Sequence, residues 1–336
     1  MRRSTGALWG SLLPVLTACS GTDPSDSDPP DTQPPGTQIV FQSSDNTTSD
    51  IYVANADGSG LTRLTEYAGA DLAPSWSGDG QQIYFLSDNR DASGTLDLYV
   101  MNADGTDAHL VLPSIDAGGS PWPRRAYAVS PDGSRIALGE RSSSVNRDLF
   151  VVNADGSELT RILDLPCDVN YTHCEHVQAL AWSRDGQRIA YAACWPGHGG
   201  VDCNIGVVNA DGTGQAPMTH TGPNTQLAWS PDGGRIVFSS GGTLTSYFQP
   251  RDLEIINADG SGRMVLLDGD VDGTANTSPS WSPDGQSIVF ARFFPVFTGV
   301  PEQGDVFAIN VDGSGLRHVV TAPGGAFAPD WNPAGP

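Results

Sequence analysis

From residue 37 onward the chain is built of short apolar runs, four to six residues long, separated by tight glycine-containing turns. One stretch displays the rule. QLAWS (226–230), RIVFSS (235–240), DLEIIN (252–257) and RMVLL (263–267) follow in order, with Pro-Asp-Gly between the first two and Ala-Asp-Gly between the last two. Runs of this length, rich in Val, Ile, Leu and Phe and split by such turns, predict antiparallel strands joined by hairpins. Proline presets φ inside the turn, and glycine takes the place where φ turns positive. No stretch carries a helical spacing long enough to compete.

The pattern repeats about every fifty residues. Asn-Ala-Asp-Gly begins at Asn55, Asn102, Asn153, Asn209 and Asn257, with Asn310-Val-Asp-Gly as a sixth copy. Trp-Ser-Pro-Asp-Gly or a close variant begins at Trp76, Val129, Trp182, Trp229 and Trp281, and a degraded copy begins at Trp331. A four-stranded unit repeated six times forms either a linear solenoid or a closed ring. The termini choose between them. The last unit holds only a first strand and turn, and the run Gln38-Ile-Val-Phe supplies the matching second strand at the other end. The expectation is an all-β, six-bladed β-propeller over residues 37–336, with four antiparallel strands per blade and the last blade closed by the N-terminal strands. Closure leaves only short, protected sheet edges.

These phrases resemble the WD40-like (PD40) repeats of the TolB propeller family and of related bacterial lipoproteins. The resemblance covers nearly all of the chain after its leader. It implies a periplasmic propeller. The family's α/β domain ahead of the propeller has no counterpart in this sequence, and the leader is of another kind.

That leader reads as a processing signal over residues 1–18. Arg2 and Arg3 precede the apolar ALWGSLLPVLT, and Leu16-Thr17-Ala18-Cys19 follows, similar to the lipobox of bacterial lipoproteins. By that resemblance Cys19 is the lipidated residue, and Ser20 implies sorting to the outer membrane of a Gram-negative cell, facing the periplasm. Residues 19–36, rich in Pro, Asp and Ser, have nothing to bury and predict a disordered tether. Attachment to the membrane is then by lipid alone.

Composition narrows the partners. Seventeen basic residues stand against 39 acidic ones, for a net charge of -22, and every basic residue is an arginine. Such a charge excludes nucleic acid, whose phosphates need basic partners. Much of the acid has a structural reading. Aspartates of the Asn-Ala-Asp-Gly and Pro-Asp-Gly turns accept backbone N–H bonds locally, and those at 50, 97, 148, 252 and 305 open the third strands.

Strand direction places all those turns on one face and all long connections on the other, where recognition is expected. The long connections carry Trp122, Tyr171, Trp195, Tyr247, Phe248, Phe293, Phe294 and Phe297, with Arg124, Arg125, Arg251 and Arg292 among them. Aromatic residues with arginine make up protein–protein hot spots. Cys167, Cys174, Cys194 and Cys203 predict disulfides in an oxidising compartment. Nearest-neighbour pairing, 194 with 203 and 167 with 174, is the favoured arrangement, and cross-pairing stays open. Asp268, Asp270, Asp272 and Gly273 are spaced like the first half of a calcium loop, but Pro279 stands where the bidentate glutamate belongs. No other cofactor is expected.

Function divides two ways. The first reading is a lipid-anchored envelope module that docks a protein, or else a glycan, through its loop face without chemistry. The alternative is a propeller enzyme of the lyase or hydrolase kind, calcium-dependent if the acidic loop binds. The hydrolases that share these repeats use a Gly-x-Ser-x-Gly elbow, which this sequence lacks.

Overall fold

The computed structural model describes residues 37–44, 48–67, 69–88, 96–113, 126–141, 147–165, 176–197, 200–219, 224–241, 251–294 and 304–334. Within them the chain folds as six antiparallel four-stranded blades. Blade 1 takes its inner strand from the C-terminus (Ala326–Trp331) and its other three from the N-terminus (Gln38–Ser44, Ser49–Asn55 and Thr62–Arg63). The inner strands of blades 2 to 6 are Asp71–Trp76, Tyr127–Val129, His176–Trp182, Thr225–Trp229 and Ala275–Trp281. A parallel bridge from Arg147 to His176 fuses blades 3 and 4 into one continuous sheet. Similar bridges, Ser49 to Ala70 and Arg251 to Ala275, link blades 1 and 2 and blades 5 and 6.

The two chain ends pair as the repeat predicts. Ile39 lies opposite Trp331, Val40 opposite Asp330 and Ser43 opposite Ala326, and the Asn332 N–H donates to the Gln38 carbonyl at 2.8 Å. Ile39, Phe41 and Trp331 are fully buried in this blade.

The turns repeat one chemistry. In all six Asn-x-Asp-Gly turns the aspartate Oδ1 accepts both the N–H and the hydroxyl of the Ser or Thr two residues on, the N–H at 2.9–3.0 Å. These bonds hold Asp57, Asp104, Asp155, Asp211, Asp259 and Asp312 below the usual carboxylate range. In the other turn class Asp132 falls furthest, to about 2, because Ser130 and Ser134 both donate to it. Glycine is mandatory at the turn tip: Gly58 has φ +83°, and a Cβ there would stand 2.1 Å from the Val319 carbonyl oxygen.

Blade-to-blade packing runs through the repeated tryptophan. Trp182, Trp229 and Trp281 each donate the indole N–H to the carbonyl of the preceding blade, at Ala128, Ala181 and Ala228, over 3.0–3.2 Å. Arg135, Arg188 and Arg235 of those preceding blades lie over the same three rings at 4.6–4.9 Å. Three successive junctions are therefore locked identically, each by a hydrogen bond and a cation–π contact. The rest of the ring is built otherwise. Ser287 and Gln38 stand in the arginine's place ahead of Trp331 and Trp76, and both of those indole nitrogens are buried without a partner. Blade 3 has Val129 in place of tryptophan, and Tyr127 instead donates its hydroxyl to the Ala73 carbonyl of blade 2 at 2.6 Å.

Replacing Arg188 with alanine removes the stack on Trp229 and a 3.0 Å bond to the Gly233 carbonyl. We expect a loss of about 1–2 kcal/mol in urea unfolding. A change within 0.3 kcal/mol, roughly the additivity error between independent sites, would show that the junction does not depend on it. The turn aspartates make a second prediction. Their native pKa values lie below the unfolded ones, so they stabilise the fold above about pH 4 and lose that contribution as pH falls through the native values. The urea midpoint should drop steadily from pH 5 toward pH 2. Asp132→Asn should make that slope shallower.

Candidate functional site

The inner strands converge on a central cavity of about 670 Å³ to which all six blades contribute. Five of the inner strands shift register there, and four of them carry a non-glycine residue in the left-handed region: Ala73 (φ 49°), Gln226 (44°), Ser278 (53°) and Ala328 (47°). Each stands three positions before the blade tryptophan. Such backbone costs of order 1 kcal/mol per residue and persists only where surroundings enforce it. Glutamines from the adjacent blade do so at two of them: the Ala73 N–H donates to Gln42 Oε1 at 3.0 Å and the Ser278 N–H to Gln226 Oε1 at 3.1 Å.

The position before the tryptophan forms the waist of the cavity. Ala128, Ala181 and Ala228 occupy it in blades 3, 4 and 5, and Ser75, Ser280 and Asp330 in blades 2, 6 and 1. One wall is thus apolar and the other polar. Asp330 joins three blades. Its Oδ1 accepts from the Ser280 hydroxyl at 2.7 Å, and its Oδ2 from the Trp76 N–H at 2.9 Å and the Ser75 hydroxyl at 3.3 Å. Asp330 lines the cavity, and burial pushes its carboxyl above the usual range against those donors. At the turn-face end Arg184 replaces the proline found in most other units and reaches across from blade 4 to the Pro333 carbonyl of blade 1 at 3.2 Å.

The predicted binding residues separate. Arg251 is 3% exposed; it lines the cavity and donates from Nη1 to Thr225 Oγ1 at 3.1 Å. Arg292 is 5% exposed, pairs with Asp272, and lies between Phe294 and Phe307 at 5.7 and 5.6 Å. Phe293 is core, packed on Phe327 at 5.2 Å. These three were expected on an exposed rim; Arg251 is instead buried where it bridges to Ala275 at the start of the next blade, and strand Ser287–Phe293 carries Arg292 and Phe293 inward. Phe294, the next residue, is 45% exposed. Trp122, Arg124, Arg125, Tyr171, Tyr247, Phe248 and Phe297 lie outside the described residues, as do Cys19, Cys167 and Cys174. Trp195 falls in strand Arg188–Gly197. Cys194 and Cys203 face each other in register and are bonded.

The expected calcium loop takes another form. Asp268 caps a single helical turn, Gly269–Asp272, by accepting the Asp270 and Val271 N–H groups at 2.9 and 3.3 Å. Asp272 binds Thr274 and Arg292. Asp268 thus serves the cap and Asp272 the ion pair. Among the described residues no three His, Cys, Asp or Glu side chains gather in metal-binding fashion.

Comparison with known proteins agrees with this architecture. The family model described as "TolB beta propeller domain" matches residues 22–117. The crystal structure of TolB from Acinetobacter baumannii superposes with a TM-score of 0.65 at 16% identity, covering 88% of this chain and 66% of that one. The fold is a TolB-type six-bladed propeller. Tol-Pal system protein TolB of Rickettsia canadensis is 40% identical over 55 residues, 16% of this chain and 12% of its own. Dipeptidyl-peptidase 5 of Porphyromonas gingivalis is 28% identical over 256 residues, 74% of this chain and 33% of its own. The chain thus spans a third or less of the length of these two curated relatives. TolB-type propellers therefore occur both in binding proteins and as parts of peptidases.

Asp330 was missed in the sequence although a signal existed. It is the one acidic residue at a position where the other units have serine or alanine. Aligning the units residue by residue exposes it, as it exposes Arg184.

Raised by burial, Asp330 lowers stability as pH rises from the unfolded carboxylate value through its native one, since only the ionised form meets the penalty. Asp330→Asn keeps an acceptor for the Trp76 N–H and removes the charge. At pH 7 it should unfold at the same or higher urea than wild type. Asp330→Ala leaves three donors unmatched and should lose about 2–3 kcal/mol. Equal loss in both variants would refute this account of the waist.

Proposed function

We propose that this protein is a cell-envelope binding module, lipid-anchored through Cys19, that docks a protein partner on the loop face of its propeller. The observation behind this is the contrast between the two faces. On the turn face the same hydrogen-bonded aspartate turn recurs, leaving little to distinguish one partner from another. On the loop face Phe294 and Val271, 45% and 82% exposed, stand near each other's supports, linked through the Arg292–Asp272 pair. Exposed apolar side chains held by a rigid ion pair are what a docking surface presents.

Likeness to TolB supports a periplasmic, envelope-associated setting. The lipid anchor rests on residues 1–19. No helix among the described residues is long and apolar enough to cross a membrane. A propeller enzyme is the second reading, and likeness to a dipeptidyl-peptidase favours it. Against it, the cavity's carboxylate is engaged by three structural donors, with no second carboxylate or histidine beside it among the cavity-lining residues to share acid–base work.

Crosslinking in intact cells, followed by identification of captured proteins, tests the first reading. Truncation of Phe294 together with Trp195 and Phe297 should abolish capture while the far-ultraviolet circular dichroism stays unchanged. Undiminished capture would refute docking through this face.

A further inference from the structure

The waist of the cavity is two-sided, and that asymmetry specifies a ligand. Ala128, Ala181 and Ala228, from three consecutive blades, put small apolar residues in the lining, each half-buried against a blade core. Ser280, Asp330 and Ser75 face them from the other three, carrying one carboxylate and two hydroxyls. The carboxylate has hydrogen-bond donors but no cationic partner among the described ion pairs, and burial makes its ionised form costly. A slim aliphatic stem fits against the alanines. A positively charged head with several donors fits the opposite wall, where the carboxylate and the Ser75 hydroxyl keep lone pairs to accept, while Ser280 Oγ already accepts the Trp331 N–H at 3.2 Å.

We propose that the Ser280–Asp330–Ser75 wall is a binding site for a primary ammonium group on an aliphatic stem, as in a lysine side chain presented by a partner. The two arginines of the cavity do not occupy that place. Arg251 is held at the level of Thr225, three residues toward the loop face from Ala228, and Arg184 is turned to the Pro333 carbonyl at the opposite end. Arginine is a poor substitute, because its broad planar fork suits bidentate pairing, whereas an ammonium is compact. The protein itself has no lysine among its 336 residues, so the group comes from another molecule. A net charge of -22 also draws cationic partners toward it. The inference deepens the docking reading by naming what enters the channel.

Calorimetric titration of the full chain with n-butylammonium and with Nα-acetyl-lysine amide, against 1-butanol and Nα-acetyl-norleucine amide, tests it. Saturable binding of either ammonium is expected, with the neutral isostere at least about tenfold weaker. Asp330→Asn should weaken the ammonium by a similar factor. Ala181→Met, which fills the waist from the alanine wall without touching Asp330, should block it. Preference for the lysine amide over butylammonium assigns the site to a partner side chain; the reverse preference assigns it to a free amine. Equal binding by wild type and both variants, or no binding of either ammonium, overturns the proposal. Undiminished capture of the envelope partner by Asp330→Asn would also remove the channel contact while leaving docking on the loop face intact.

Discussion

Every blade of this protein is held in place by its two neighbours, so the structure depends on the one pairing that no local sequence can make: Gln38–Ser44 against Ala326–Trp331. Ile39 and Trp331 meet across 292 residues of chain. Closing a loop of that length costs roughly 5 kcal/mol. A strand's worth of hydrogen bonds at about 1 kcal/mol each, with burial of Ile39, Phe41 and Trp331, exceeds that figure. Without the pairing, two strand edges would open to other chains.

The ring is not uniform around its axis. Blades 3 to 6 repeat the same tryptophan–arginine lock. Blades 6, 1 and 2, where the ends meet, replace it with a carboxylate bridging three strands. The two arrangements are the same fact seen from opposite sides of the cavity. The residues whose carbonyls take an indole, Ala128, Ala181 and Ala228, are alanine; those at the same position that take none, Ser75, Ser280 and Asp330, are serine or aspartate. The joint that closes the wheel is therefore also the polar wall of its channel.

This division of labour lets one scaffold serve different purposes. Turns with internal hydrogen bonds make one face monotonous, while the long connections, the usual place of recognition, lie on the other. The channel belongs to neither face. Six of its lining side chains, one from each blade, give the channel one apolar and one polar side.

Strand positions, turn chemistry, blade number and circular closure were all legible along the chain, because each rests on local preference or on counting repeats. The Cys194–Cys203 disulfide was legible too: the two sit opposite each other in a hairpin whose register the flanking runs determine. The site was not. Arg251, Arg292 and Phe293 look like loop residues in one dimension, and only the bridge to Ala275 and the continuation of strand Ser287–Phe293 bury them. Asp268, Asp270 and Asp272 have a cation's spacing, yet Asp268 caps a helical turn and Asp272 pairs with Arg292. Asp330 stands out when the units are aligned, but its role emerges only when Ser75, Trp76 and Ser280, some fifty to two hundred and fifty residues away, close around it. Local sequence dictates local hydrogen bonds and strand period; which side chains share a cavity depends on bulges and on neighbours brought together by the ring, and no window of sequence contains both.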